Sequence, residues 1–386
     1  MRRWVFGSAL PFWAEVGEDR VRGGFHEALD ASSTPLPDAP RRLRVACRQV
    51  YVFSHAACLG WGPGLAVARR GAEWLVAKGW QGADRGWAKV LSPAGEVTDP
   101  TPDLYDHAFA LFAFAWLHRA GGDPDALAWA HRTLDFVEAH LRHPSAPGFL
   151  HARPAVGWRL QNPHMHLLEA ALAAWETWHD PRFADLAHEL VGLFTTRFFD
   201  ARRGTLAEAF TDTLERAPGD AGRVVEPGHQ FEWAWILSNY QRLFARPVAA
   251  EARALVTFAE AHGVRRGVTL NAVRDDGEPL DRGSRTWPNT ERIKGHVALF
   301  ELDGTDPTEP IAQSTAVLLG RYCHPDGTWT DELDGAGAPV AKAIPASTLY
   351  HIFLAFTEML RVEGTLGADI RGEHGGAPLP ATLGGK

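Results

Sequence analysis

The chain has 386 residues, enough for one large single-core fold or for two average domains. Its 45% hydrophobic and 22% charged residues match a water-soluble globular protein, and 39 Lys and Arg against 47 Asp and Glu leave a formal charge of −8. With no basic run longer than Arg41-Arg42-Leu43-Arg44, that sign excludes nucleic acid and membrane surfaces as expected partners, and no apolar run reaches the roughly 18–20 residues of a membrane helix.

In chain order, Met1-Arg2-Arg3-Trp4 begins like a secretory leader, but Glu15, Glu18 and Asp19 follow too soon. Cys47, Cys58 and Cys323 form no CxxC and cannot all pair, so a reducing, cytoplasmic setting is expected. The chain then repeats itself. Pro63, Pro124, Pro181, Pro247 and Pro307 each open a helical stretch, at separations of 61, 57, 66 and 60. Asp123, Asp180 and Asp306 precede three of them as helix caps. Gly24, Gly86, Gly148, Gly204, Gly267 and Gly327 form a second series, 62, 62, 56, 63 and 60 apart, each leading a short β-type segment. Between the two series lie helical patterns of two kinds. Leu104 to Ala120 is apolar almost all round, whereas Asp125 to Leu141 carries charge on one side only.

The unit is therefore a buried helix, a turn, an amphipathic helix and a glycine-led hairpin, about 60 residues in all and six times over. A buried ring inside an amphipathic ring is an all-α (α/α)6 barrel. It is expected to fill 1–363 as a single domain, with a Gly/Pro-rich tail over 364–386.

If the hairpins lead into the inner helices, the first turns of those helices converge on one end of the axial cavity. That phase holds Arg48, Tyr105-Asp106-His107, His166, His229, Glu291 and His351. Counted from Asp106 for the triplet, they lie 58, 60, 63, 62 and 60 apart. A polar group ahead of an apolar helix is costly unless it binds something, and six at one phase point to a shared site. Glu232, three residues after His229, lies on the same helix face and is expected to orient that imidazole. Trp287 and Glu291 offer an aromatic platform and a carboxylate suited to a polyhydroxylated ligand. His164 and His166, two apart, point to different faces and make a poor chelate, and no HExxH occurs, so no metal is expected.

Several segments carry a resemblance. Arg48-Gln49-Val50-Tyr51, Asn162 to His166 with Glu169, Glu226-Pro227-Gly228-His229-Gln230-Phe231-Glu232-Trp233, Trp287-Pro288 with Glu291, and Tyr350-His351 resemble the N-acylglucosamine 2-epimerase superfamily, from about Gly23 to Phe356. The resemblance implies an (α/α)6 barrel and metal-independent sugar isomerisation through an enediol. It implies that His229 and His351 are the acid/base pair, that His166 binds substrate and assists ring opening, and that Arg48 contacts the oxygens at the reacting carbons. Asn162, Tyr105 and Trp287 match substrate-pocket positions. No match to the nucleotide-dependent behaviour of the N-acylglucosamine branch is found, so no cofactor is expected.

The same chemistry follows from the residue types. An imidazole titrating near neutrality can remove the proton beside a sugar carbonyl, a second can donate elsewhere, and a guanidinium can stabilise the enediolate. The expected activity is aldose–ketose isomerisation, D-mannose to D-fructose, by a monomer or homodimer. The nearest alternative is a sugar 2-epimerase using the same residues. A glycoside hydrolase would need Glu232 and Glu291 as opposed carboxylates, and a non-catalytic sugar binder would have no use for inward histidines. No cation cluster or anion cradle appears at the cavity phase, so an unphosphorylated sugar is expected.

Overall fold

Six helices line a central axis in the computed structural model, which describes the backbone of residues 1–370. They are α2 (Leu43–Cys58), α4 (Leu104–Gly121), α6 (Gln161–Trp178), α8 (Pro227–Phe244), α10 (Thr286–Asp303) and α12 (Thr348–Ile370). Each packs on the next, and α12 packs back on α2, so the ring is closed. Outside them lie α3 (Gly64–Gly79), α5 (Ala126–Phe136), α7 (Pro181–Leu193), α9 (Ala249–Phe258) and α11 (Thr308–Val317), each against the inner helix that precedes it.

The local reasons are visible in the residues. In α7 the Asp180 carboxylate accepts a bond from the Arg182 amide at 3.0 Å, and Pro181 sets the first turn. Phe183, Leu186, Ala187 and Leu190 then form one buried stripe. In α4, Leu104 and Ala108 through Ala115 are all buried, because this helix has neighbours on every side. Four inner helices end in a left-handed residue, at Gly122, His179, Ala245 and Gly304, which turns the chain toward its outer partner.

The six repeat-marking glycines all have positive φ, between 64° and 93°. Gly86 shows why no other residue serves there: a Cβ would lie 2.4 Å from Nε2 of His107 as well as meeting the left-handed backbone. His107 in turn accepts the Trp87 amide at 3.1 Å and bonds the Asp103 carbonyl at 2.8 Å, locking turn to helix. His164, Gln230 and Asn289 hold the next three turns in the same way, through the amides of Phe149, Leu206 and Thr269.

The sixth hairpin departs from the expected order, because its outer member comes from the other end of the chain. The helical segment over 2–15, ending in α1 (Leu10–Glu15), packs beside α12 and the glycine turn at Gly327. Trp13 stacks on Trp329 with centroids 4.7 Å apart and donates to the Gly327 carbonyl, and Trp4 meets Phe356 edge-on. Such a stack contributes about 0.5–1.5 kcal/mol beyond its burial, so the N-terminal segment fastens the last repeat into the ring. The inner helix α12 also runs to Ile370, past the expected boundary at 363, and the rest of the expected tail lies outside the described residues.

Short antiparallel pairs cap one end of the barrel. Arg41–Arg42, Arg159–Leu160, Val224–Val225, Ser284–Arg285 and Ala343–Pro345 each run directly, or within two residues, into an inner helix. Ala343–Pro345 pairs with Ala28–Asp30, joining the last repeat to the first. The first turns of the inner helices therefore meet at this end. No helix among the described residues is long and apolar enough to cross a membrane.

Candidate active site

Three histidines stand in the first two turns of three inner helices, each with Nδ1 against a carboxylate. His166 of α6 reaches Glu169 Oε2 at 2.9 Å, His229 of α8 reaches Glu208 Oε2 at 2.8 Å, and His351 of α12 reaches Glu291 Oε1 at 2.8 Å. An ionised carboxylate only accepts, so beside one a neutral ring carries its proton on Nδ1 and leaves the Nε2 lone pair free. The three rings differ in charge state. Burial pushes His166 down to about 3, and pushes His351 well below the ordinary imidazole value with help from Arg48 and Lys294. Burial also opposes a charge on His229, but Glu208 and Glu226 outweigh it and hold this ring up at about 9. At neutral pH the site thus contains one imidazolium and two neutral imidazoles.

Aromatic and cationic side chains complete the walls. Trp287, half-buried, lies between the two outer histidines, with centroids 5.0 Å from His229 and 5.5 Å from His351. The Arg48 guanidinium rests over Phe109 and Tyr350 at 4.4 and 4.8 Å and donates to the Tyr105 hydroxyl at 2.6 Å. Its Nε has no partner among the described residues, and neither does Oδ1 of half-buried Asn162. Both atoms are therefore open to a ligand or a water.

Behind the walls, Tyr350 donates to Glu169 Oε1 at 2.5 Å. Trp233 donates to Gln161 Oε1 at 2.6 Å, which turns the Gln161 amide nitrogen toward Glu208 at 2.8 Å. Lys294, fully buried, places Nζ 2.6 Å from Glu291 Oε2 and 3.8 Å from Glu232 Oε1. Ligand atoms of His166, Glu169 and Glu232, of Glu232, Glu291 and His351, and of Glu208, Glu226 and His229 lie within 4.8 Å of one another, a spacing that admits a divalent ion. The positive charge among them is already supplied by Lys294 beside Glu232 and Glu291, and by Arg285, 3.2 Å from Glu226.

Three sequence expectations change. Asp106 does not face the cavity: it is fully buried against α2, where it accepts from the Arg44 backbone and guanidinium at 2.8–3.1 Å. Consecutive helical residues point about 100° apart, so of the triplet only Tyr105 reaches Arg48, while His107 serves the glycine turn. Glu232 does not hold His229: side chains on a helix lean toward its N-terminus, which brings His229 to Glu208 in the preceding hairpin. Glu291 is no substrate carboxylate at a helix entrance, because it is fully buried and engaged by His351 and Lys294. With Glu232 and Glu291 both buried beside one lysine, the opposed pair that a hydrolase needs is not formed. Sequence reasoning assigned no role to Glu208, Gln161, Glu169, Tyr350 or Lys294.

The family model for N-acylglucosamine 2-epimerase (GlcNAc 2-epimerase) matches residues 23–355. A protein of Rhizobium meliloti named mannose-6-phosphate isomerase is 36% identical, over 92% of this chain and 95% of its own. A D-mannose isomerase of Thermobifida fusca is 27% identical, over 81% of this chain and 82% of its own. Among solved structures, cellobiose 2-epimerase from Bacillus thermoamylovorans superposes with a TM-score of 0.85 at 18% identity, covering 93% of this chain and 97% of that one, which shows the shared (α/α)6 fold. A ring of carboxylate-bound histidines at the mouth of that fold, and a family match over nearly the whole length, place this chain in the N-acylglucosamine 2-epimerase family as a sugar isomerase or epimerase.

Proposed function

We propose that the protein converts an aldose to the corresponding ketose, D-mannose to D-fructose, through a cis-enediol and without a metal. The observation that carries this reading is the pair of histidines flanking Trp287, each with Nδ1 2.8 Å from a glutamate, where burial favours the neutral form of His351 and Glu208 and Glu226 favour the protonated form of His229. His351 Nε2 removes the proton from C2 of the open-chain sugar, and the electron pair passes into the C1–C2 bond. Arg48, and donors such as Asn162 and Tyr105, stabilise the oxygen on which charge develops. For the ketose, the O2 proton passes to O1 and His229 delivers its proton to C1. For the epimer, O2 keeps its proton and His229 delivers its own to the opposite face of C2. In both, the proton taken by His351 is returned to His229 by exchange with solvent. His166, neutral with a free Nε2, is suited to opening the sugar ring, and Trp287 to carrying its apolar face.

An uncharged sugar fits better than the 6-phosphate in the name of the Rhizobium relative. Apart from Arg48, which this mechanism commits to the reacting carbons, the cations near the helix entrances are already paired: Arg42 with Glu27, Arg44 with Asp106, Lys89 with Asp103 and Arg285 with Glu226. A phosphate dianion would have to break one of these pairs. Proton NMR in D2O with EDTA, offering mannose and mannose 6-phosphate separately, tests the reading. Fructose formed from free mannose with deuterium incorporated is the expected result. Glucose as the first product would make the enzyme an epimerase, preference for the phosphate would overturn the substrate choice, and a requirement for added metal would overturn the mechanism.

A further inference from the structure

We propose that Lys294 is a positioning residue for this reaction: by neutralising Glu291 it fixes the proton count of the Glu291–His351 dyad, and so decides which histidine is the base. The inference rests on the isomerase reading above.

Lys294 lies one turn beyond Glu291 on α10, fully buried, its ammonium over the Trp235 ring at 4.3 Å. It has no surface to offer a substrate, so its role must pass through its neighbours. The two acid/base histidines are alike at first contact, each with Nδ1 2.8 Å from a carboxylate oxygen. They differ in what stands behind that carboxylate. Glu208 is met by the Gln161 amide and the Glu226 backbone amide, both neutral, whereas Glu291 is met by the Lys294 ammonium at 2.6 Å.

The charges around His351 make the lysine decisive. From α6 come Glu169 and neutral His166, from α8 Glu232 and His229, from α10 Glu291 and Lys294, from α2 Arg48, and from its own helix Tyr350. Burial, then the Glu232 carboxylate, hold the proton affinity of Glu291 well above the ordinary carboxylate value, and Lys294 opposes them without cancelling them, so that losing the lysine raises it further. Glu291, Glu232 and Glu169 in turn keep Lys294 charged in spite of its burial. Glu169, Glu232 and Glu291 thus face only two cations here, Lys294 and Arg48, with the His229 charge shared by Glu208 and Glu226. Without Lys294 the cluster draws in another proton. On His351 that proton makes an imidazolium. On Glu291 it makes a carboxyl that donates to Nδ1, and the neutral ring then carries its hydrogen on Nε2. Either way the Nε2 lone pair needed at C2 is lost.

The test is Lys294→Met, read by the pH profile of kcat/KM and by histidine 15N NMR of the free protein. The acid limb of the profile is expected to rise by at least about one pH unit, so that activity below it falls about tenfold or more and recovers at higher pH. The NMR titration of the His351 ring or its tautomer should move with it. The double variant Glu291→Gln/Lys294→Met removes both charges and should bring the limb back to within about half a unit of the wild type. An unmoved limb and an unmoved His351 resonance in K294M would overturn the proposal. If K294M does not fold, a double variant whose limb stays one unit or more high would do the same. Because the NMR titration needs no turnover, it separates failure of this proposal from failure of the isomerase reading, which would appear as a wild type inert toward every aldose.

Discussion

The α8 wall and the α10–α12 wall of the cavity present the same dyad in opposite charge states. His229 and His351 are both buried, both flank Trp287 and both bond a glutamate through Nδ1 at 2.8 Å. Yet one is held protonated up to about 9 and the other is neutral. The difference lies one shell further out. Behind His229 a second carboxylate, Glu226, stands 3.9 Å from Nδ1, and its own cation, Arg285, is partly in solvent. Behind His351 stands a dry ammonium. The direct bond thus fixes tautomer and orientation, while the charge beyond it fixes whether the ring gives or takes a proton.

The largest expected effect comes from removing either ring. His351→Ala and His229→Ala should each lower turnover by about a thousandfold or more, but differently. Without the base, exchange of the C2 proton with D2O should stop. Without the acid, slow exchange should persist while product does not accumulate. NMR of both variants with mannose reads this directly, and near-normal turnover by H229A would remove that residue from the chemistry.

Glu208→Gln attacks one side of the comparison. Wild-type activity is expected to fall as pH rises through about 9, where His229 loses its proton, while the acid limb lies well below neutrality because His351 stays unprotonated there. Removing the Glu208 charge leaves burial to depress His229, so the basic limb should move down by more than about one unit. Activity at pH 8 should fall about ten- to a hundredfold, with the acid limb in place. A basic limb that stays at 9 in E208Q would assign the charge of His229 to Glu226 instead.

How much of this was legible in the chain depends on whether the signal was periodic. Two marks repeated six times at about 60 residues define the hairpins and the ring, since each repeat must bury the same face and turn in the same left-handed glycine. What completes the sixth hairpin was not legible, because nothing in the first 15 residues says that Trp13 will meet Trp329. Within the site, residues that recur at the inner-helix entrance were found, and those supporting them from elsewhere were not. Glu208 lies in a hairpin, 21 positions before the histidine it holds. Lys294 reads in sequence as an ordinary surface charge, and only the closed ring shows that its side of α10 faces inward. Phase was also too coarse to separate Tyr105, Asp106 and His107, whose side chains serve the cavity, α2 and the glycine turn respectively.

The smallest expected effect tests why the two walls differ despite each having a cation near its dyad. Arg285→Gln removes the partner of Glu226 and should raise His229 further, moving the basic limb upward. Arg285 has 38% of its side chain exposed, and water already screens most of its influence, so the shift should stay under about half a unit and kcat should change less than about threefold. The same unit of charge at buried Lys294 is expected to move the other limb at least twice as far. If R285Q and K294M displace their limbs equally, dryness is not what distinguishes the walls, and distance to the dyad carboxylate alone must account for the split: Lys294 touches the glutamate that holds its histidine, whereas Arg285 touches a neighbour of that glutamate.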